Sequence, residues 1–178
     1  MNKRRIALRP EVSTDDVDGA AFSLGWPLAG VHEAEGGQPR EDVYNAGDET
    51  TVHLLHDDNV ALRYLVVRGE NVDEVVEAIK TELDTVSPAD AVKEYETGDK
   101  TTGLALLGVA SDDGEVRPPF ADALRDPDKN IRRAAILTLG YVGGRDAEAL
   151  LEPVAANDED EVIREDARVM LEGLRLYG

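Results

Sequence analysis

Asp126–Gly140, DPDKNIRRAAILTLG, is followed by a near-copy of itself, Asp158–Gly173, DEDEVIREDARVMLEG. Asp126 aligns with Asp158, Ile131 with Ile163, Arg132 with Arg164, Ala135 with Ala167 and Leu139 with Leu171, each pair 32 residues apart. In both copies the apolar and small residues recur every three or four positions, which gathers them on one stripe of an α-helix. A motif of that kind repeated at a fixed interval marks stacked supersecondary units, none of which can bury its apolar face alone. Outward from this pair, helical periodicity holds from about Thr97 onward. Leu104, Leu106 and Leu107 open it, Gly114 breaks it, Pro118-Pro119 reopen it, and Gly143-Gly144 force a turn before a helix carrying Leu150, Leu151 and Val154. Pro153 inside that helix predicts a kink or a late start.

The first half mixes periods. Arg5–Pro10 reads as a short strand stopped by proline, and Ser13 as the cap of a helix running to about Leu24. Residues 25–40 are rich in glycine and proline and read as loop. Thr51–His56 and Val60–Val67 read as a hairpin around Asp57-Asp58-Asn59, with Asn59 in the left-handed position, and Asp42–Ala46 as an added edge strand. Asn71 caps a helix with Val72, Val75, Val76, Ile79 and Leu83 on one stripe, and Ser87-Pro88 opens another through Tyr95. The expected fold class is therefore α+β: a sheet-and-helix layer over residues 1–96, then an all-α stack of helical hairpins over 97–178. A stack so short needs its open apolar end covered, and the helix at 72–83 or the one at 88–95 is the expected cap.

The residues of the repeat resemble those of a HEAT repeat, of the short kind found in phycobilin-lyase-type proteins. Asp126, Ile131, Arg132, Ala135, Leu139 and Gly140 carry the resemblance, and Asp158, Ile163, Arg164, Ala167 and Leu171 carry it again. Gly103, Leu107 and Gly108 sit at the same offsets in a degenerate earlier unit that lacks the arginine. The resemblance implies a ladder in which Arg132 and Arg164 each pair with an aspartate of their own or the preceding unit, Asp126 and Asp158 being those aspartates, while Arg133 faces solvent. It also implies that the second helix of each unit lines a partner-binding side, which is where Glu148 and Glu152 are expected.

The chain carries 38 acidic and 19 basic residues, a formal net charge of −19 over 178 residues. Phosphate contacts need clustered lysine and arginine, so nucleic acid is disfavoured as a partner. With no cysteine, disulfides, thiolate nucleophiles and cysteine-based zinc sites are excluded. No apolar run is long enough to span a bilayer, and MNKRRIALRP lacks the apolar core of a secretory signal, so the expected location is cytoplasmic. His53 and His56 point to opposite faces of a strand, which argues against a metal there. None of Ser13, Ser23, Ser87 and Ser111 sits in a nucleophile-elbow frame, and the pairs Asp15-Asp16 and Asp112-Asp113 fall at capping and turn positions. No cofactor is expected, and the chain is read as non-enzymatic.

What remains is a protein-binding role. Glu148, Glu152, Asp158 and Glu159 would form an acidic patch suited to a basic protein, and Trp26 is either a plug for the first unit's core or an interface anchor. The leading expectation is a protein–protein interaction module. The alternatives are an immunity or inhibitor protein that neutralises a basic toxin and, third, a lyase-like or chaperone role on a chromophore protein.

Overall fold

The computed structural model describes residues 2–111, 114 and 117–177, so Asp112-Asp113 lies outside the described residues. The chain divides into two compact units at Ser87/Pro88. The break precedes the helix at Pro88–Thr97, which therefore belongs with the second unit rather than with the first half.

The first unit runs β1 (Asn2–Leu8), α1 (Thr14–Ser23), β2 (Leu28–His32), β3 (Arg40–Asn45), β4 (Thr51–Asp57), β5 (Leu62–Gly69), α2 (Val72–Glu82) and β6 (Thr85–Val86). The strands form one six-stranded sheet in the order β2-β3-β4-β5-β1-β6, every neighbouring pair antiparallel. Alternation sets its packed face: Val52 and Leu54 lie opposite Val67 and Leu65, and Ile6 opposite Leu65 on the other side. These join Val17, Ala20 and Ala21 of α1 and Val72, Val75 and Ile79 of α2 in one core. Each fully buried aliphatic side chain there contributes roughly 1.5–3 kcal/mol. The start of α1 is fixed by a capping box, in which Ser13 Oγ accepts the Asp16 N–H and Asp16 Oδ2 accepts the Ser13 N–H at 2.8 Å.

Several local expectations are corrected. β2 crosses the segment read as loop; all its residues but Gly30 are exposed, so no buried alternation betrays it. β3 is an interior strand between β2 and β4, and β2 is the edge. In the β4–β5 turn Ala61, not Asn59, has the positive φ of 51°, and Val60-Ala61 belongs to the turn. Asp57 Oδ1 accepts the Asn59 N–H, which closes the turn from its first residue. Asn71 stands at the start of α2 without capping it; its amide donates to Asp48 Oδ2 at 3.1 Å. β6, two residues pairing with the end of β1, was not anticipated.

The second unit comprises α3 (Pro88–Thr97), α4 (Lys100–Ala110), α5 (Pro118–Ala123), α6 (Lys129–Val142), α7 (Gly144–Asn157) and α8 (Glu161–Tyr177). α3 packs on α4, α5 on α6 and α7 on α8, while α4, α6 and α8 stack on one another. The unit is thus three helical hairpins whose second helices form a continuous row. Glycines line the close approaches of that row: a Cβ at Gly108 would come within 3.0 Å of Thr138 O, and one at Gly140 would meet the flexible side-chain end of Met170, 2.6 Å from its Sδ. Gly108 and Gly140, and likewise Thr138 and Met170, are one repeat apart, so the close approach itself repeats. Pro153 lies within α7, which starts at Gly144 ahead of the expected Ala147.

A charged ladder and a candidate interaction surface

The motif Asp-x-Asp ahead of α6 and of α8 builds two identical local devices. Asp126 Oδ1 accepts the Asp128 N–H and Asp158 Oδ1 the Asp160 N–H, each at 2.9 Å. Asp128 and Asp160 in turn accept from Asn130 N and Val162 N at the first turn of the helix that follows. The ladder arginine then reaches back to the carbonyl of the same turn. Arg132 Nη1 donates to Asp126 O at 2.9 Å, and Arg164 Nη1 donates to Asp158 O.

Arg132 does more. Its Nε and Nη2 donate to Asp158 Oδ2 and Oδ1 at 2.9 and 3.1 Å, a two-pronged pair between side chains only 6% and 8% exposed. The ladder therefore steps forward: the arginine pairs with the carboxylate of the following unit's aspartate and holds its own unit's aspartate only through the main-chain carbonyl. The earlier unit has its rung too. Lys100 Nζ lies 2.5 Å from Asp126 Oδ2, and Lys100 stands one repeat ahead of Arg132 just as Asp126 stands one repeat ahead of Asp158. The signal for it in the sequence is the spacing: 32 residues before Arg132 stands a cation, lysine in place of arginine. Lys100 holds the Asp126 carboxyl below the ordinary carboxylate range, helped by the Asp128 N–H, and Asp126 raises the Lys100 ammonium in return. The Val162 N–H likewise lowers Asp160.

The acidic residues expected to form one patch are separated by these bonds. Asp158 is the buried acceptor of Arg132 and is spent inside the stack. Glu148 and Glu152 lie on α7, the first helix of its hairpin rather than the second, and both accept from Arg175 of α8, at 3.3 and 2.6 Å. Glu159 is the most exposed of the four, at 88%, with Oε1 4.0 Å from Arg132 Nη2. Arg133 is mostly exposed and pairs with Asp166 at 2.8 Å.

In the first unit, Trp26 is half-buried and packs against the core, its N–H donating to Ala21 O at 2.8 Å. The two histidines take opposite faces, as strand alternation requires. His53 bridges Glu41 Oε1 and Thr51 Oγ1, each at 2.8 Å, and His56 Nε2 lies 3.1 Å from Asp42 Oδ2. Burial depresses the His53 pKa, against the opposing pull of Glu41.

Among the described residues no helix is long and apolar enough to cross a membrane. No curated protein and no solved structure matches the chain. Residues 101–172 match the model of one family, HEAT repeats, and no family model covers the first unit. Over those residues the stacked helices of the C-terminal half are similar to HEAT repeats.

Proposed function

We propose that the chain is a non-catalytic protein-interaction module in which the HEAT stack is a rigid support and its outward faces meet the partner. The observation that supports this most is the ladder. The residue types that could serve chemistry in the stack, Lys100, Asp126, Arg132 and Asp158, hold successive hairpins together. HEAT repeats commonly serve as binding scaffolds, which agrees with that use of the polar residues. A net charge of −19 favours a basic partner, recruited by long-range attraction that works within a Debye length of about 8 Å at physiological ionic strength. An inhibitor of a basic protein is one form such a module takes.

Affinity capture with the intact chain from its source cells, followed by reconstitution of the captured protein, tests the reading. A stoichiometric complex whose association rate falls with salt, and falls again when Glu148, Glu152 and Glu159 become glutamine, is the expected result. Stability should scarcely change in that variant, because exposed ion pairs contribute about 0–1 kcal/mol. Capture of no protein would contradict the proposal.

A further inference from the structure

The outer face of α8 occupies, one repeat on, the place that the α8-facing side of α6 occupies. Four α6 residues meet α8 or the turn just ahead of it. Lys129 Nζ lies 3.4 Å from Asp160, Arg132 grips Asp158, Arg133 lies 2.8 Å from Asp166, and Gly140 admits Met170. The corresponding residues of α8 are Glu161, Arg164, Glu165 and Glu172. Only the ladder arginine keeps its type; the two flanking cations have become anions and the glycine a glutamate. Along the same helix run Val162, Val169 and Leu176, exposed by 56%, 61% and 66% and spaced by whole heptads, a straight apolar stripe of roughly 21 Å at 1.5 Å per residue.

The rung at Arg164 is half made. Its Nη1 holds Asp158 O, as Arg132 holds Asp126 O, but among the described residues no carboxylate stands to Arg164 as Asp126 stands to Lys100 and Asp158 to Arg132. A guanidinium fork matches a carboxylate with two parallel hydrogen bonds, so the open position has a defined chemistry.

We propose that this face receives a helix from a basic protein partner, which docks as the next rung of the stack. The partner supplies a carboxylate just ahead of its helix for Arg164, lysine or arginine opposite Glu161 and Glu165, and aliphatic side chains over Val162, Val169 and Leu176. A second copy of this chain does not fit. Docked as α8 docks on α6, it would set Asp160 against Glu161 and Asp166 against Glu165, like charges face to face. Glu165 is engaged by Arg168 at 2.9 Å, but both ends of that pair are more than half exposed and it yields readily to a partner cation.

The inference rests on the protein-interaction reading above, and the test separates the two. The probes are two hydrocarbon-stapled amphipathic helices, one with Asp ahead of its first turn, leucines at heptad spacing and lysines beside them, the other with those charges reversed. Binding of each to the intact chain is followed by fluorescence anisotropy. The first should bind at least about tenfold more tightly than the second, Val169→Asp should weaken it by about tenfold or more, and Arg164→Gln by a smaller factor. Thermal melts confirm that Val169→Asp remains folded. Equal affinity for the two probes, or indifference to Val169→Asp, would overturn the proposal. So would sedimentation showing a dimer that Val169→Asp dissociates, since the occupant would then be a second copy. A natural partner that binds the intact chain and the Val169→Asp variant alike would overturn this face and leave the scaffold reading standing. Capture of no partner at all would undo the scaffold reading instead.

Discussion

In the helical unit the same contact is made again one repeat later: Lys100 to Asp126 and then Arg132 to Asp158, Gly108 against Thr138 and then Gly140 against Met170. In the sheet unit the polar contacts differ from one another in kind. Tyr44 donates to Asp18 at 2.7 Å, Arg63 Nε donates to Val12 O at 3.1 Å, and Thr50 Oγ1 accepts the Asn71 N–H at 3.1 Å. A repeated contact shows which side chains belong to the scaffold, because two separate units would have to carry a binding residue in the same register. In the sheet unit that inference is not open, and burial has to do the sorting.

The contrast can be broken most forcefully at Arg132. Arg132→Ala leaves the nearly buried Asp158 carboxylate without its guanidinium, and such an unpaired charge costs about 3–5 kcal/mol. Chemical denaturation should show that loss. A variant as stable as the parent would remove the arginine from the scaffold.

Two glycines sharpen the same comparison within the stack. A Cβ at Gly103 would lie 2.3 Å from the backbone N of Tyr95, which cannot give way, whereas at Gly140 it would meet the mobile end of Met170. Gly103→Ala should therefore prise α3 from α4 at a cost of about 2 kcal/mol or more. Gly140→Ala should be close to neutral, overpacking being offset by a gain in helix propensity of up to about 1 kcal/mol. The melting temperatures of the two variants check this directly.

Acid should loosen the two units in different windows. Burial depresses His53 in the sheet, so the folded state holds the neutral imidazole; the stability this gives is full above the ordinary histidine range, about pH 6.5, and declines as pH falls below it. In the helical unit Asp99, Asp126 and Asp160 are depressed, held by the Thr102 N–H, by Lys100 and by the Val162 N–H respectively. Their contribution persists to about pH 4 and is lost as pH falls through the lower folded values. Trp26 is the single tryptophan and lies in the sheet unit, so its fluorescence reports that unit alone. On acidification the fluorescence transition should weaken before the helical circular dichroism does. The reverse order would contradict the account.

A smaller effect than at Arg132 is expected at Lys100. Its side chain is 47% exposed, and Asp126 keeps the Asp128 N–H when the ammonium is gone. By chemical denaturation Lys100→Ala should cost far less than Arg132→Ala.

The helical half was legible because its signal is doubled: Asp126, Arg132 and Leu139 gain meaning only from Asp158, Arg164 and Leu171. What the doubling could not convey is which helix pairs with which. Periodicity is local, whereas the packing of α7 on α8 rather than on α6 is decided by contacts distant in sequence. That is why the sequence alone points to the second helix of a hairpin for Glu148 and Glu152, which lie on the first, and to an aspartate of the same or the preceding unit for a carboxylate that the following unit supplies. Asp158 could serve either ladder or patch until the geometry gave it to Arg132. In the sheet half, β4, β5 and α2 announced themselves by buried alternation or an apolar stripe. β2 stayed hidden because Leu28 and Val31 remain exposed, and Ala61 because alanine gives no hint of a left-handed turn.

The central claim is that the regularly spaced cations join one hairpin to the next. A double-mutant cycle of Arg132→Met with Asp158→Asn tests it most directly, with Arg133→Met and Asp166→Asn as the more exposed comparison between the same two hairpins. Asparagine keeps an oxygen for the Asp160 N–H, so the cycle isolates the bond across the rung. The account predicts a coupling of about 1.5 kcal/mol or more for the first pair and below about 0.5 kcal/mol for the second. A coupling near zero between Arg132 and Asp158, or one no larger than that of the exposed pair, would contradict it.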